Sequence, residues 1–379
     1  MTMPKYKFEE IAINMTEKRK PVEADKYTYI GLEHLDAGNI HVARWGSEVP
    51  LKGEKLVMHA GDVLLGKRNA YLRRAAVAPH DGLFSAHGMV LNPNLKVVDK
   101  DFFPFFIFSD YFFDAAIRIS VGSLSPTINW RDLAKIEFSI PEMEKQRSIA
   151  LTLWSINNTI EKYKALDKAT ENLIKGKFVD MFGDPYKNPM GWPVKSFDEV
   201  ASIDANMTTD YKKYADYPHI GIDSIEKDTG RLIGYRTVQE DNVISGKYIF
   251  GPEHIIYSKI RPVLNKVALP DFEGLCSADA YPILPKKNVC DRVFLAYVMR
   301  SEYFLTYVLA LSSRSQMPKV NRKQINGFKM PIPPINKQEE FVKFVEMCDK
   351  GRSALQQSID ELQAMLRNIL EDCFNNNRR

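Results

Sequence analysis

The feature of this 379-residue sequence that most constrains its fold is an internal duplication. Residues 126–146 match residues 318–338 at an offset of 192, with a proline, an asparagine, a second proline and a glutamine in the same order. Closer to the N-terminus the offset shortens to 190 and then to 189, where Phe8 aligns with Phe197. Since repeated sequence folds into repeated structure, we predict two copies of one structural unit, called here the first and second repeats.

Each repeat begins with short runs of strand-forming residues separated by turn residues. The segments "HAGDVLLGKR" (59–68) and "PEHIIYSKI" (252–260) have the pattern of strands that run into loops. A helix is predicted around residues 103–119, and its aromatic stripe indicates core rather than a surface for stacking on bases. The stripe consists of Phe102, Phe103, Phe105, Phe106, Phe112 and Phe113.

Each repeat ends in a long helix with one apolar seam. The apolar residues recur at alternating steps of four and three, which is typical of a helix that packs along another helix. The second seam is interrupted at Arg352, and Pro141 and Pro333 precede the two helices, where proline is tolerated. Because a long helix with one apolar stripe needs a partner, we expect the two helices to pair antiparallel with the globular parts at opposite ends. The seam residues are Ile149, Leu153, Ile156 and Ile160 in the first helix and Leu355, Ile359, Leu362, Leu366 and Ile369 in the second.

These patterns predict an α+β fold with two repeated β-rich globular domains, joined by two long antiparallel coiled-coil-like helices in a pseudo-twofold arrangement. The predicted segments are a first domain at 1–142, a helix at 143–182, a linker with the second domain at 183–334, and a second helix at 335–379. The linker is inferred from its Gly and Pro content.

Basic residues cluster at matching places in the two repeats, although the net charge of the chain is only +4. Such clusters neutralise DNA phosphates, and Arg, Asn and Ser side chains also read base edges. Arg68 aligns with Ile260 and His87 aligns with Asp279, so the two clusters differ in individual side chains. A solvated charged face is the alternative interpretation. The candidate DNA-binding residues are Lys67, Arg68, Arg73, Arg74, Ser123, Asn129, Arg131, Lys259, Arg261, Lys266, Arg314, Lys319, Asn321, Arg322 and Lys323.

The stretch "GDVLLGKR" (61–68) is one letter short of a nucleotide-binding phosphate loop, because Arg68 stands where that loop needs Ser or Thr. Its counterpart "EHIIYSKI" (253–260) keeps only the lysine, Lys259, and neither glycine. A loop that wraps a triphosphate needs those glycines. The repeat therefore favours a basic loop beside DNA, and a P-loop ATPase is the weaker alternative.

The sequence shows no motif of catalysis or metal binding. It contains no N-P-P-[FY] or D-P-P-[WFY] tetrapeptide and no H-E-x-x-H, and its four cysteines form no C-x-x-C pair. We therefore expect no catalytic residue and no metal site. Neither a secretory signal nor a stretch long enough to cross a bilayer is visible, so we expect a cytoplasmic protein without a membrane partner.

A set of short motifs links the whole chain to a known family. In the first repeat they are Ser120-Val121-Gly122-Ser123 before Pro126, then Ile128 and Leu133, then Ile140-Pro141 and Gln146. In the second repeat they are Ile332-Pro333-Pro334 and Gln338, and "MFGDPYKNPMGW" lies between the repeats. In these motifs and in its duplication the chain resembles the specificity subunit of Type I restriction–modification systems. One departure is Ser312-Ser313-Arg314-Ser315, which lacks a glycine at the position of Gly122.

The resemblance implies a division of labour. The two domains would be target recognition domains that each read one half of a bipartite double-stranded DNA target. The helices would act as a spacer and as the docking surface for two methyltransferase subunits, which carry S-adenosylmethionine and methylate adenine. Separate restriction subunits would hydrolyse ATP with Mg, translocate and cut, so this chain would bind no cofactor itself. A non-enzymatic coiled-coil scaffold and a two-domain DNA-binding regulator are the other interpretations of the same sequence.

Overall fold

The computed structural model describes residues 3–312 and 318–375. The chain forms two compact units. Unit 1 takes in the chain up to Leu166 and again from Leu355, and unit 2 is Asp167–Ala354. Each unit therefore contains one β-rich repeat together with a part of both long helices.

The first repeat has nine strands and five helices among the described residues. The strands are β1 (Lys5–Lys7), β2 (Ala12–Met15), β3 (Lys18–Arg19), β4 (Lys55–Met58), β5 (Val63–Gly66), β6 (Ala75–Val77), β7 (Gly82–Phe84), β8 (Gly88–Pro93) and β9 (Glu137–Ser139). The helices are α1 (Phe8–Ile11), α2 (Phe103–Phe108), α3 (Asp110–Arg118), α4 (Trp130–Leu133) and α5 (Met143–Phe182).

The second repeat has eleven strands and again five helices among the described residues. The strands are β10 (Val194–Ser196), β11 (Ala201–Ile203), β12 (Met207–Thr208), β13 (Pro218–Ile220), β14 (Arg236–Thr237), β15 (Lys247–Phe250), β16 (Ile255–Ser258), β17 (Val267–Ala268), β18 (Gly274–Cys276), β19 (Ala280–Pro285) and β20 (Lys329–Pro331). The helices are α6 (Phe197–Val200), α7 (Arg292–Arg300), α8 (Glu302–Ser312), α9 (Arg322–Asn326) and α10 (Ile335–Asn375).

The duplication extends to the pairing of individual strands. A four-stranded sheet has the order β2-β8-β5-β6 in the first repeat and β11-β19-β16-β17 in the second. Val63 faces Leu91 in the first sheet, and Ile255 faces Ile283 in the second, so the register is reproduced at the offset of 192. The strands predicted in "HAGDVLLGKR" and "PEHIIYSKI" are β5 and β16, and the predicted α+β architecture of two repeated β-rich parts and two long helices is confirmed.

The aromatic stripe of the first repeat is core, as predicted: all six phenylalanines are at most 2% exposed. The prediction of one helix around 103–119 is wrong, because the chain turns at Ser109 between α2 and α3. The backbone of Ser109 is extended there, and its hydroxyl accepts a hydrogen bond of 3.2 Å from the Phe112 amide as an N-cap. Ser301 occupies the same place between α7 and α8.

A buried glutamine joins each β-rich part to its long helix. The Gln146 amide nitrogen donates to the carbonyls of Val97 (3.0 Å) and Pro141 (2.8 Å), and its oxygen accepts from the Asp99 amide (2.7 Å). Gln146 is 1% exposed, so its hydrogen bonds are shielded from water.

The second repeat reproduces the glutamine joint in every bond. Gln338, which is fully buried, donates to Val289 (3.1 Å) and Pro333 (2.8 Å) and accepts from the Asp291 amide (2.7 Å). The Ile-Pro pair and the glutamine that the two repeats share in sequence are therefore the two parts of this joint, since the glutamine amide donates to the proline carbonyl in both.

The two long helices run antiparallel within each unit. In unit 1, Leu153 near the start of α5 shares a core cluster with Leu370 near the end of α10, whereas Ile156 and Ile160 cluster with Ile359. Of the other predicted seam residues, Leu355 is half-buried. Ile149, Leu362, Leu366 and Ile369 are partly buried against these clusters.

In unit 2, Arg352 interrupts the apolar seam and is held by an acidic residue of α5. Arg352 Nε donates to Asp167 at 2.8 Å, and Arg231 of the β-rich part also pairs with Asp167. Burial acts to raise the pKa of Asp167, but the hydrogen bonds from Arg352 and Arg231 outweigh it and leave that pKa below its ordinary value. Buried polar pairs of this kind fix the register of paired helices.

No single helix among residues 3–312 and 318–375 is long and apolar enough to cross a bilayer. By length and composition alone, the bent pair α7–α8, with 58° between its helices, passes the same test.

Replacing Gln338 with Ala is expected to lower the free energy of unfolding of unit 2 by about 2–4 kcal/mol, because one buried amide and two carbonyls lose their partner. Urea-dependent hydrogen exchange of peptides from the second repeat measures this loss. The matched control is Gln357→Ala, since Gln357 is exposed on the same helix and bonds only Glu361 within α10. Equal exchange in the two variants would contradict the role of the joint.

Replacing Asp167 with Ala is expected to destabilise the helix pair of unit 2 by about 2–3 kcal/mol. The largely buried Arg352 then keeps only its longer contact with Asp349, at 3.5 Å. Arg352 and Asp167 side chains are 15% and 20% exposed, so solvent screens them only in part. The double replacement of Asp167 and Arg352 by Leu is expected to recover most of the loss. Hydrogen exchange of peptides within 335–354 tests this, and a double variant as labile as Asp167→Ala would refute it.

Candidate nucleic-acid interface

The loop that follows β5 in the first repeat is held between two other segments. The Lys67 amide donates to the His87 carbonyl (3.2 Å), and the Lys67 carbonyl accepts from the Ile128 amide (2.9 Å). Arg68 then forms an isolated β-bridge with Thr127. The predicted basic stretches around residues 67 and 130 are thus brought together in the fold.

The loop that follows β16 has the same hydrogen bonds. The Lys259 amide donates to Asp279 (3.0 Å), the Lys259 carbonyl accepts from Val320 (2.8 Å), and Ile260 bridges Lys319. Lys67 and Lys259 therefore occupy equivalent positions on equivalent backbones.

Left-handed residues bracket a single 3₁₀ turn in both loops. The turns are Ala70–Leu72 and Pro262–Leu264. In the first repeat Asn69 (φ 52°) and Arg73 (φ 47°) flank the turn, and in the second Arg261 (φ 46°) and Asn265 (φ 46°) do so. Asn tolerates this conformation, whereas for Arg it is uncommon and costs strain energy. Each loop carries one arginine held in a conformation that its surroundings impose.

This geometry does not fit a phosphate loop for a nucleotide. Such a loop leads into a helix whose N-terminal amides face the phosphates. Here Lys67 is paired in a β-like manner on both sides, and only the three-residue turn Ala70–Leu72 follows. The Lys67 amide is already bonded and so is not available to a triphosphate.

The first repeat concentrates positive charge around this loop. Burial lowers the pKa of the half-buried Lys67 ammonium, and the neighbouring cations Lys18 and Arg68 lower it further. The pKa of His87 is lowered in the same way, by burial first and then by Arg68, Lys67 and Lys55. Every charged group that shifts these two pKa values is a cation. A bound polyanion would relieve the repulsion among them.

A second pair of matched lysines was missed at the sequence level. Lys55 and Lys247 begin β4 and β15, and both ammonium groups donate to the carbonyl two residues earlier, at 3.3 Å for Gly53 and 2.9 Å for Ser245. Lys247 is 7% exposed, and burial lowers its pKa. Both positions are lysine at the offset of 192, and this match is the sequence signal from which the pair could have been predicted.

In the second repeat, two cationic side chains lie against one aromatic ring. Lys259 Nζ lies 5.0 Å from the centroid of the Tyr281 ring, and the Arg322 guanidinium lies 5.6 Å from it. Arg322 also donates to the Tyr248 hydroxyl at 3.3 Å. Ring contacts orient both cations. The aromatic partners were not predicted, because their alignment with Met89 and Leu56 in the first repeat gave no sign of them.

Three of the predicted DNA-binding side chains are committed to contacts within the protein. Arg73 pairs with Asp110 and, at 2.8 Å, with Asp114, both of α3. Lys266 donates to the Ile222 carbonyl at 2.8 Å. Asn321 caps α9 by accepting from the Gln324 amide at 2.9 Å. These side chains hold the loops and helix in place.

The remaining predicted residues lie at or near the surface of their repeats. Lys319 pairs with Asp279 at 3.3 Å, with both side chains about half exposed, and Arg131 is 83% exposed next to Asp132. Arg314 lies outside the described residues. The exposed or half-exposed predicted residues are Arg68, Arg74, Ser123, Asn129, Arg261 and Lys323.

Within the described parts of the chain, no three His, Cys, Asp or Glu side chains are arranged to hold a metal ion.

Fold and loops together define a class: a duplicated protein in which two β-rich repeats, each joined to a long helix, present equivalent basic loops. The chain belongs to the family of Type I restriction modification DNA specificity domains, whose model matches it twice, at residues 10–171 and 189–364. The two matches correspond to the two repeats.

Comparison with individual proteins agrees with this family. The specificity subunit of the EcoDI Type I restriction enzyme of Escherichia coli is 29% identical over 287 residues, which cover 66% of this chain and 63% of that protein, less than two thirds of its length. The MjaVIII specificity subunit of Methanocaldococcus jannaschii is 21% identical over 383 residues, 91% of this chain and 85% of that protein. The crystal structure of a Type I S subunit from M. genitalium has a TM-score of 0.58 at 11% identity, over 98% of this chain and 96% of that one, and so shares the fold.

Replacing both Lys67 and Lys259 with Ala is expected to weaken binding of the full chain to duplex DNA and to reduce its salt dependence. The loss of two phosphate contacts lowers the slope of log affinity against log salt by about 1.8. The matched control is Lys96→Ala with Lys287→Ala, two exposed lysines beyond the far ends of β8 and β19. A slope equal to that of the control would contradict phosphate contact by Lys67 and Lys259.

Proposed function

We propose that this chain is the DNA-recognition subunit of a Type I restriction–modification complex. Each repeat reads one half of a bipartite target in double-stranded DNA. The observation that carries the proposal is the pair of basic loops that share one backbone and differ in their side chains. Equivalent backbones place both loops on DNA in the same way, and different side chains let them read different sequences.

The long helices set the distance between the two half-sites and receive the modification subunits. Support comes from large apolar side chains that the helices leave in solvent, since a partner that covered them would gain the free energy of apolar burial. On α5 they include Leu151 (76% exposed), Leu173 (58%) and Val179 (56%). Two are on α10, namely Met347 (66%) and Met365 (52%).

The chain acts by recognition rather than by catalysis. Two methyltransferase subunits supply S-adenosylmethionine and methylate adenine, and restriction subunits supply ATP hydrolysis with Mg, translocation and cleavage. Its own contribution is to hold these partners at a chosen sequence, and Lys67, Lys259 and their neighbours supply the affinity for the DNA backbone.

The test is to map methylated adenines in cells that contain the modification subunits with and without this chain. We expect a bipartite motif with a fixed spacer, present only with the chain. Without such a motif the proposal fails.

Insertion of seven residues into both α5 and α10 is expected to lengthen the spacer. Seven helical residues add about 10 Å, equal to about three base pairs of DNA. A matched control inserts seven residues into the linker at 186–190, outside both helices. Methylation only at the original spacing in the helix variant would overturn the role of the helices as a spacer.

A further inference from the structure

The two repeats contain the same tight turn with a different side chain at one position, a histidine in the first repeat and a carboxylate in the second. In the first repeat, the His87 amide donates to the Ser85 hydroxyl at 3.3 Å, and the Gly88 amide to the Ser85 carbonyl at 3.0 Å. In the second, the Asp279 amide donates to the Ser277 hydroxyl at 3.1 Å, and the Ala280 amide to the Ser277 carbonyl at 2.9 Å. The backbones are equivalent, so the difference between the repeats at this place lies in the side chain alone.

Asp279 is a carboxylate within a basic cluster. It lies 3.3 Å from Lys319, and its charge is one of those that act on the buried Lys247. Its carbonyl accepts from the Lys259 amide, which places it directly beside the predicted phosphate-binding residue. A carboxylate at a surface that binds phosphates weakens that binding by repulsion. The presence of a carboxylate at this position therefore needs another explanation.

Stability does not provide that reason. The Asp279 and Lys319 side chains are 42% and 53% exposed, and ion pairs this exposed to solvent contribute little to folding. Among residues 3–312 and 318–375, the side-chain contact of this half-exposed carboxylate is made by Oδ1 to Lys319, which leaves Oδ2 as the acceptor for a ligand. Among DNA groups that meet a carboxylate, the exocyclic amino group of cytosine in the major groove is the hydrogen-bond donor that Asp and Glu read.

We propose that Asp279 is a base-reading residue of the second repeat and accepts a hydrogen bond from the amino group of a cytosine in its half-site. His87 holds the equivalent position in the first repeat, where its ring donates to an acceptor on a base edge. Lys259 and Lys67 then contact the phosphates of the DNA backbone beside these positions, so that each loop makes one phosphate contact and one base contact. This inference rests on the proposed function and assigns to it one specificity-determining position in each repeat.

The experiment measures methylation of sites that differ at single positions, in cells with the modification subunits and either the natural chain or Asp279→Asn. The natural chain is expected to prefer cytosine about tenfold or more at one position of one half-site, within the discrimination that a good base contact gives. In Asp279→Asn that preference is expected to fall to within about twofold, because the carboxamide lacks the charge that strengthens the bond to cytosine and pairs best with adenine. The other half-site and the spacer stay unchanged, which also shows that the variant folds. If Asp279→Asn abolishes all methylation, Asp279→Ser decides in its place.

Two controls separate base reading from charge. Asp271→Asn removes one carboxylate at the opposite end of β18 and is expected to leave the motif intact. Lys319→Met removes the ion-pair partner of Asp279; base reading predicts that the cytosine preference persists, whereas a role only in the ion pair predicts that Lys319→Met and Asp279→Asn behave alike. The reciprocal change His87→Asp is expected to alter the other half-site.

The outcomes distinguish the two proposals. If the natural chain yields no bipartite motif, the proposed function fails. If it yields one and Asp279→Asn methylates the same sequences with the same preferences, the function stands and the assignment of Asp279 is overturned.

Discussion

The structure depends on the buried amide at the start of each long helix. Gln146 and Gln338 use both of their amide hydrogens and their oxygen, and all six partners are main-chain atoms. A glutamate lacks the donors and a hydrophobic residue lacks both donor and acceptor, so only a carboxamide of this length satisfies the site. Since a bend at the joint would leave several buried groups unpaired, each β-rich part is fixed to its own helix.

The sequence was informative where the physics is periodic or repeated. The seam spacing located both helices, and the offset of 192 predicted the repeated unit, whose strand register the two sheets share. The two glutamines align between the repeats in the sequence. Their role in joining each β-rich part to its helix follows only from their hydrogen bonds to the carbonyls of Val97 and Val289, which are distant in sequence. The break at Ser109 was missed because apolar periodicity continues through it, whereas the N-cap hydrogen bond that ends one helix and begins the next is a local polar event.

The candidate site was less predictable, since charge along a sequence does not show which charges meet. Arg73 stands in a run of basic residues, but its guanidinium is neutralised by two aspartates of α3 that lie far along the chain. Lys55 lies outside the predicted basic clusters, and the fold brings it close enough to His87 to lower the pKa of that side chain. The neighbours of a side chain are set by the folded surface. From the sequence alone, the evidence for a shared role was the alignment of two residues between the repeats.

The left-handed residues of the two loops have a consequence for evolution. Asn and Arg exchange places between the positions at 69 and 73 and those at 261 and 265, and the backbone angles stay the same. The surrounding strands, rather than local residue preference, therefore dictate the shape of each loop. A scaffold of this kind can accept new side chains without refolding. Substitutions can therefore change what the loops bind while the backbone that presents the side chains stays the same.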